Sequence, residues 1–194
     1  MGRPKAFDRD EVLEKAAGVF WDKGFEATST DDLLAAMGIG RQSMYDTFGD
    51  KHALYVAALE KYRAHAAENF RHGLREAADP RAAIEAMLLA VSGEGPADRA
   101  RGCLLVNATA ELAPHDDDVA KVVRGNNNTC EGAFEVALRR AVQLGQVPPG
   151  LDTKAIARFL YTTLQGLRVS AKAGTSPAAL RDVARVALTV LDRA

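Results

Sequence analysis

The stretch Gly38-Ile-Gly-Arg-Gln-Ser-Met-Tyr-Asp-Thr-Phe-Gly-Asp-Lys51 decides the fold of this 194-residue chain. It is too polar for a core segment, yet helical segments flank it closely on both sides. Gly38 can end one short helix in a left-handed turn, and Gly40 can cap the next. Two short helices joined by a three- or four-residue glycine turn make a helix-turn-helix, whose second helix enters the DNA major groove. In that second helix Ile39, Met44 and Phe48 have the spacing to face inward. Arg41, Gln42, Ser43, Tyr45 and Thr47 are left outside: a cation, an amide, hydroxyls and an aromatic, the groups used on phosphates and base edges. The Gly-Ile-Gly triplet is not a dinucleotide fingerprint, because it lacks the third glycine and a preceding strand.

Working outward, the chain reads as helices throughout. Val12, Ala16, Val19 and Phe20 follow the helical period in a first helix. Asp8 caps it and Gly24 stops it. Ser29 or Thr30 caps the next, where Asp31 and Asp32 complement the helix dipole. Asp50 caps a long helix carrying Leu54, Ala58, Tyr62 and Ala66 and running to about Glu76. Pro80 opens another helix, followed by a loop over "GEGPADRARG" (93–102). Asp116, Asp117 and Asp118 start a further helix. His115 beside them suggests a metal, but carboxylates in a first turn serve the dipole, and no metal or other cofactor is expected. "GNNNT" (125–129) has poor helix propensity. Val119, Val122, Asn126, Cys130, Ala133, Ala137 and Ala141 nevertheless keep three- and four-residue steps straight through it, which predicts one continuous helix with Asn126 on its inner face. After "QVPPG" (146–150) two last helices carry apolar stripes.

Composition bounds the function. Net charge is −1, and residues 1–55 hold seven Lys/Arg against ten Asp/Glu. DNA binding therefore has to rest on where charges sit, such as the basic arm Arg3, Lys5 and Arg9, with Arg41 and Lys51 at helix starts. No apolar run approaches the roughly 18–20 residues of a membrane span, and the N-terminus lacks the apolar region of a secretion signal, so a cytoplasmic location is expected. Cys103 and Cys130 are too few for a disulfide framework and read as buried, reduced thiols. The four histidines are scattered, and neither a His-Cys nor a Ser-His-Asp grouping argues for an enzyme. A helical interaction module without DNA binding is the remaining alternative.

Residues 7–59, from "FDRDEVLEKAAGVFWDKGFEATST" through "DDLLAAMGIGRQSMYDTFGDKHAL", resemble the N-terminal domain of the TetR family of transcriptional regulators. "RGCLLVNATAEL" and "LYTTLQGLRVSAKAG" extend the resemblance over nearly the whole chain. It implies an all-α fold of about nine helices: a three-helix helix-turn-helix domain over residues 1–50 and a helical effector-binding and dimerisation domain over 51–194. It further implies that Thr28, Thr30, Tyr45 and Lys51 approach phosphates, and that Arg41, Gln42 and Ser43 lie nearest base edges with Asp46 and Thr47 close by. Gly40 replaces a frequent serine or threonine cap, and Asp46 replaces a frequent histidine, tyrosine or asparagine. The expected function is a ligand-responsive regulator, a repressor binding double-stranded operator DNA as a homodimer and released by a small molecule.

Two further sites are expected in the C-terminal part. Leu88, Leu105, Asn126, Phe134, Leu138, Phe159, Tyr161 and Gln165 form an apolar inner surface with a few polar groups, suited to a neutral, largely apolar effector. Leu160, Leu164, Leu167, Val183, Leu188 and Leu191 are the expected dimer interface, because the last two helices carry more apolar faces than one core requires. Val169, Val186 and Val190 add apolar surface elsewhere on the same helices.

Overall fold

Caps fix where the helices begin. In the computed structural model, which describes residues 7–192, Asp8 accepts the Asp10 and Glu11 amides and opens α1 (Arg9–Lys23). Ser29 opens α2 (Thr30–Met37) and Gly40 opens α3 (Arg41–Phe48). Asp50 accepts the Ala53 amide at 2.7 Å and starts α4 (Lys51–Arg75). Prolines occupy the first turns of α5 (Pro80–Gly93), α6 (Pro96–Arg101) and α10 (Pro177–Leu188), where their missing N–H costs nothing. Between them run α7 (Leu104–Glu111), α8 (Asp117–Gln143) and α9 (Thr153–Lys172), and a 3-10 turn (Thr189–Leu191) follows α10.

The described residues are all-helical, with no strand among them, as expected. Helix α6 lies where the sequence reads as a loop; six residues with a proline start and a glycine stop leave no periodicity to detect. α8 is continuous through Gly125–Thr129, so the phase of its apolar residues overrides the poor propensity of three consecutive asparagines. Cys130 is buried as expected, whereas Cys103 is only half-buried, with Sγ 3.7 Å from the Tyr62 hydroxyl. Arg3 and Lys5 of the expected basic arm lie outside the described residues.

Packing divides the chain into two units. One comprises the chain up to His65 with Cys103–Val123, the other Ala66–Gly102 with the chain from Arg124 onward. Two continuous helices, α4 with 25 residues and α8 with 27, contribute to both units. In the first unit Val12, Phe20, Leu33, Met37, Met44 and Phe48 close a three-helix core against Leu54, Tyr55 and Leu59 of α4. Leu104, Leu105 and Ala108 of α7 belong to the same core, so a stretch distant in sequence supports the N-terminal helices. In the second unit α5, α8, α9 and α10 bury Ile84, Leu88, Phe134, Leu138, Leu160, Leu164, Leu167, Leu180 and Leu188 together.

Candidate nucleic-acid interface

The geometry of α2, the turn and α3 follows from three local devices. A capping box ties Ser29 to Asp32: the Asp32 amide donates to Ser29 Oγ, and the Ser29 amide donates to the Asp32 carboxylate. Lys23 holds the same carboxylate at 2.6 Å, and this hydrogen bond, followed by those from Ser29, keeps the Asp32 acid far below its ordinary range. Gly38, with φ of +68°, closes α2 in the left-handed conformation. Gly40 stays extended and opens α3 without a side-chain cap, so no cap side chain claims the first α3 amides.

Burial sorts the α3 residues as their period predicts. Met44 and Phe48 are buried and Ile39 is half-buried, while Arg41, Gln42, Tyr45 and Asp46 are exposed, with Ser43 and Thr47 half-buried. Two of the exposed groups are held by acids. Arg41 Nη2 lies 2.5 Å from Asp31 Oδ1, and Gln42 Nε2 donates to Asp46 Oδ1 at 2.8 Å. Arg9 adds a cation at the start of α1, its guanidinium 5.3 Å from the centre of the Phe48 ring. The acids of α1 are partly neutralised within the unit, since Lys61 Nζ lies 3.1 Å from Glu14 and Lys15 lies 2.7 Å from Glu11.

One residue departs from the expected phosphate contacts. Thr28 is only 1% exposed, and its hydroxyl donates to the Gly24 carbonyl at 2.5 Å. That hydroxyl is committed to the α1–α2 turn, which corrects its assignment to a phosphate. Lys51 is half-buried, with Nζ 4.3 Å from the centre of the Phe25 ring, so its cation also supports the first unit's packing. Thr30 is half-buried in the first turn of α2.

The sequence reading missed two clasps within this unit. Glu111, the last residue of α7, accepts the Glu26 amide at 3.0 Å beside Gly24. His52 Nε2 lies 2.6 Å from Asp116 Oδ2, and Asp116 accepts the Val119 amide at the start of α8. The Val119 bond first, and His52 after it, depress the Asp116 acid. Asp118 stands near enough for the three ligand atoms to lie within 4.8 Å of one another, whereas His115 is not among them. In the sequence Glu111 is a lone acid at the end of an apolar stretch and Asp116 opens a run of three aspartates, and neither pattern names its partner.

In the second unit the expected polar groups do gather. Asn126, buried in α8, donates to the Tyr161 hydroxyl at 2.7 Å. That hydroxyl in turn donates to Asn127 Oδ1, which also accepts from Gln165 Nε2 at 3.1 Å. Leu88, Phe134 and Leu138 are buried in the same core, and the Phe134 ring meets Phe70 edge-on at 5.0 Å. Two of the expected lining residues are elsewhere. Leu105 packs in the first unit's core, and Phe159 is 46% exposed on α9.

The expected dimer interface needs a larger correction. Leu160, Leu164, Leu167, Leu188 and Leu191 are all buried within the protomer, and only Val183 of the six is exposed. The strongest apolar stripe of each helix serves its own core. A second stripe faces outward: Phe159, Val169, Val183 and Val186 are exposed, Val186 by 70%. On α9 it runs Ala155, Phe159, Thr162, Gly166 and Val169, alternating steps of four and three, all exposed. That is the spacing of a seam between paired helices.

A solvent-facing polar helix set behind a capped helix and a glycine turn defines a helix-turn-helix regulator. The chain belongs to the TetR family of bacterial transcriptional regulators. Residues 12–58 match the family described as "Bacterial regulatory proteins, tetR family", and residues 80–187 match "Tetracyclin repressor-like, C-terminal domain". The chain is 33% identical to the uncharacterized HTH-type transcriptional regulator YezE of Bacillus subtilis (strain 168), over 99% of this chain and all of the relative. It is 32% identical to the HTH-type transcriptional repressor ComR of Escherichia coli (strain K12), covering 96% and 90% of the two chains. Among solved structures, the TetR-family regulator CifR, a cysteine mutant complexed with a 26 bp double-strand operator, superposes with a TM-score of 0.82. Its identity is 32%, covering 96% of this chain and 98% of CifR. The protein is thus a DNA-binding transcriptional regulator, and no described helix is long and apolar enough to cross a membrane.

Proposed function

We propose that this regulator is a repressor that binds double-stranded operator DNA as a two-fold homodimer and leaves it when a small, largely apolar effector binds. The observation that carries the DNA part is α3: Arg41, Gln42, Tyr45 and Asp46 exposed on one helix whose opposite face is buried. ComR is a repressor by name and CifR is seen on its operator, which supports the same role here. Such a regulator works in the cytoplasm, where its DNA is. Ser43 and Thr47 stand beside the reading groups, and Thr30 and Lys51 flank them toward phosphates.

Dimerisation rests on the outward apolar stripe of α9 and α10, centred on Phe159, Val169, Val183 and Val186. Two-fold pairing would set two α3 helices about one DNA turn apart, roughly 34–36 Å, or a multiple of it. The effector reading rests on the Asn126, Asn127, Tyr161 and Gln165 network set among Leu88, Phe134 and Leu138. Residues 51–194 would hold both functions and residues 1–50 would read DNA. An apolar molecule with one or two polar groups can exchange bonds with that network, in which side-chain amides of two asparagines and a glutamine meet one phenol. α4, continuous from Lys51 to Arg75, would carry the change, with a coupling of about 1–3 kcal/mol.

Binding-site selection from random duplex DNA tests the proposal. Enrichment of a two-fold symmetric site, followed by salt-dependent gel shifts, is the expected result. Failure to enrich any sequence would favour a helical module that has lost DNA binding.

A further inference from the structure

An acid on a surface that meets a polyanion carries a cost, since it repels phosphate wherever it does not find a base donor. Asp46 is such an acid. It is exposed, it caps no helix, and its observed partner is Gln42, whose Nε2 donates to Asp46 Oδ1 at 2.8 Å across one helical turn. The terminal torsion of a glutamine is broad, so a free amide presents either its NH2 or its oxygen in a given direction. A carboxylate only accepts, so it selects the orientation with NH2 toward itself. One N–H is then engaged, and the second N–H and Oε1 remain for a base edge. Adenine presents the matching pair in the major groove, an N7 acceptor beside an N6 donor.

We infer that Asp46 is a positioning residue: it orients the Gln42 amide to read an adenine, supplying sequence preference while weakening attraction to DNA in general. The inference rests on α3 being the recognition helix. Asp31 holds Arg41 in the same way from α2, at 2.5 Å, so both leading side chains of α3 are oriented by acids. The rival role for Asp46, direct acceptance from a cytosine N4, would place its sequence information at a different base pair from that of Gln42.

The test selects binding sites from random duplex DNA with the full chain and with Gln42→Ala, Asp46→Ala, Asp46→Asn and the Gln42→Ala/Asp46→Ala pair. Gel shifts on the wild-type site and on a scrambled duplex accompany each selection. Gln42→Ala and Asp46→Ala should lose the adenine preference at the same base pair of each half-site, on the order of tenfold. The double variant should lose no more than Gln42→Ala alone. Asp46→Asn, which keeps an acceptor oxygen, should retain part of the preference, and Asp46→Ala should bind the scrambled duplex several-fold more tightly. An Asp46→Ala selection that keeps the adenine, or that changes a base pair untouched by Gln42→Ala, overturns the positioning role alone. A wild-type chain that enriches no site removes the helix-turn-helix reading and this inference together.

Discussion

Helices α3 and α9 differ in how many apolar faces they carry, one in α3 and two in α9. In α3 only Met44 and Phe48 are apolar and buried, so one face is committed to the core and the others are exposed or half-buried. In α9 apolar residues occupy two faces. Leu160, Leu164 and Leu167 pack within the protomer, and Phe159 and Val169 face outward. Periodicity finds a stripe but does not say whose core it fills. The lesson is one of competition: where two apolar stripes share a helix, the more leucine-rich one closes the helix's own fold, and the weaker, mixed one is left for a partner.

The sharpest way to break this comparison is a charge on each stripe. Leu164→Glu places a carboxylate in the second unit's core and should cost on the order of 4 kcal/mol or more, leaving a chain that does not fold at 25 °C. Val186→Glu, at a 70% exposed position, should leave thermal unfolding of the protomer nearly unchanged while sedimentation shows monomers. A Leu164→Glu protein that folds and sediments as a monomer would return the interface to the inner stripe.

A smaller effect tests the base-reading face. Arg41→Ala and Tyr45→Ala remove exposed side chains, so circular dichroism and melting temperature should hold. Affinity for the selected operator should fall by about 1–3 kcal/mol for Arg41→Ala, a base-edge contact, while Tyr45→Ala, a phosphate contact, should weaken binding about evenly across sequences. Unchanged gel shifts for both would detach α3 from DNA.

What was legible follows from range. Asp8, Ser29, Gly38, Gly40 and Asp50 act on neighbours within four residues, and each is found at the helix boundary its type demands. Asn126 was placed on the inner face of α8 by phase alone, and it is buried there. Glu111 was invisible because its partner lies 85 residues away in the α1–α2 turn. Thr28 is ambiguous in sequence for a related reason: a threonine near a helix start serves a phosphate or a turn carbonyl equally well, and only the fold shows that Gly24 has taken it. Gly24→Ala probes that hidden junction. Its φ of +81° disfavours any side chain, and the added Cβ would meet Glu111 Oε1 at 2.9 Å. A loss of about 1–3 kcal/mol in denaturant unfolding is expected, consistent with strain of that kind. A neutral substitution would mean that the α7 clasp yields freely.

The smallest effect concerns the device the sequence showed most plainly, the Ser29–Asp32 box, and its sign can be worked out. In the folded chain the Asp32 carboxylate accepts from Lys23, the Ser29 amide and the Ser29 hydroxyl. Its acid is therefore held below the ordinary value of 3.8, the lysine bond contributing most. A group whose folded pKa is depressed binds its proton more readily when unfolded. Its stabilisation is complete above the unfolded value, about pH 4 and higher, and is lost as pH falls through the range below 3.8. Asp32→Asn keeps an oxygen acceptor for Ser29 but removes the charge that holds Lys23. The variant should melt lower than wild type at pH 7, by no more than about 4 °C for so exposed a group. The gap should narrow as pH drops below 4, because wild type then loses the same charge. Carboxylates elsewhere titrate in both proteins and cancel in the difference. A gap of constant size from pH 7 to pH 3 would show that the box works through shape and hydrogen bonding alone, and that the charge of Asp32 adds nothing to α2.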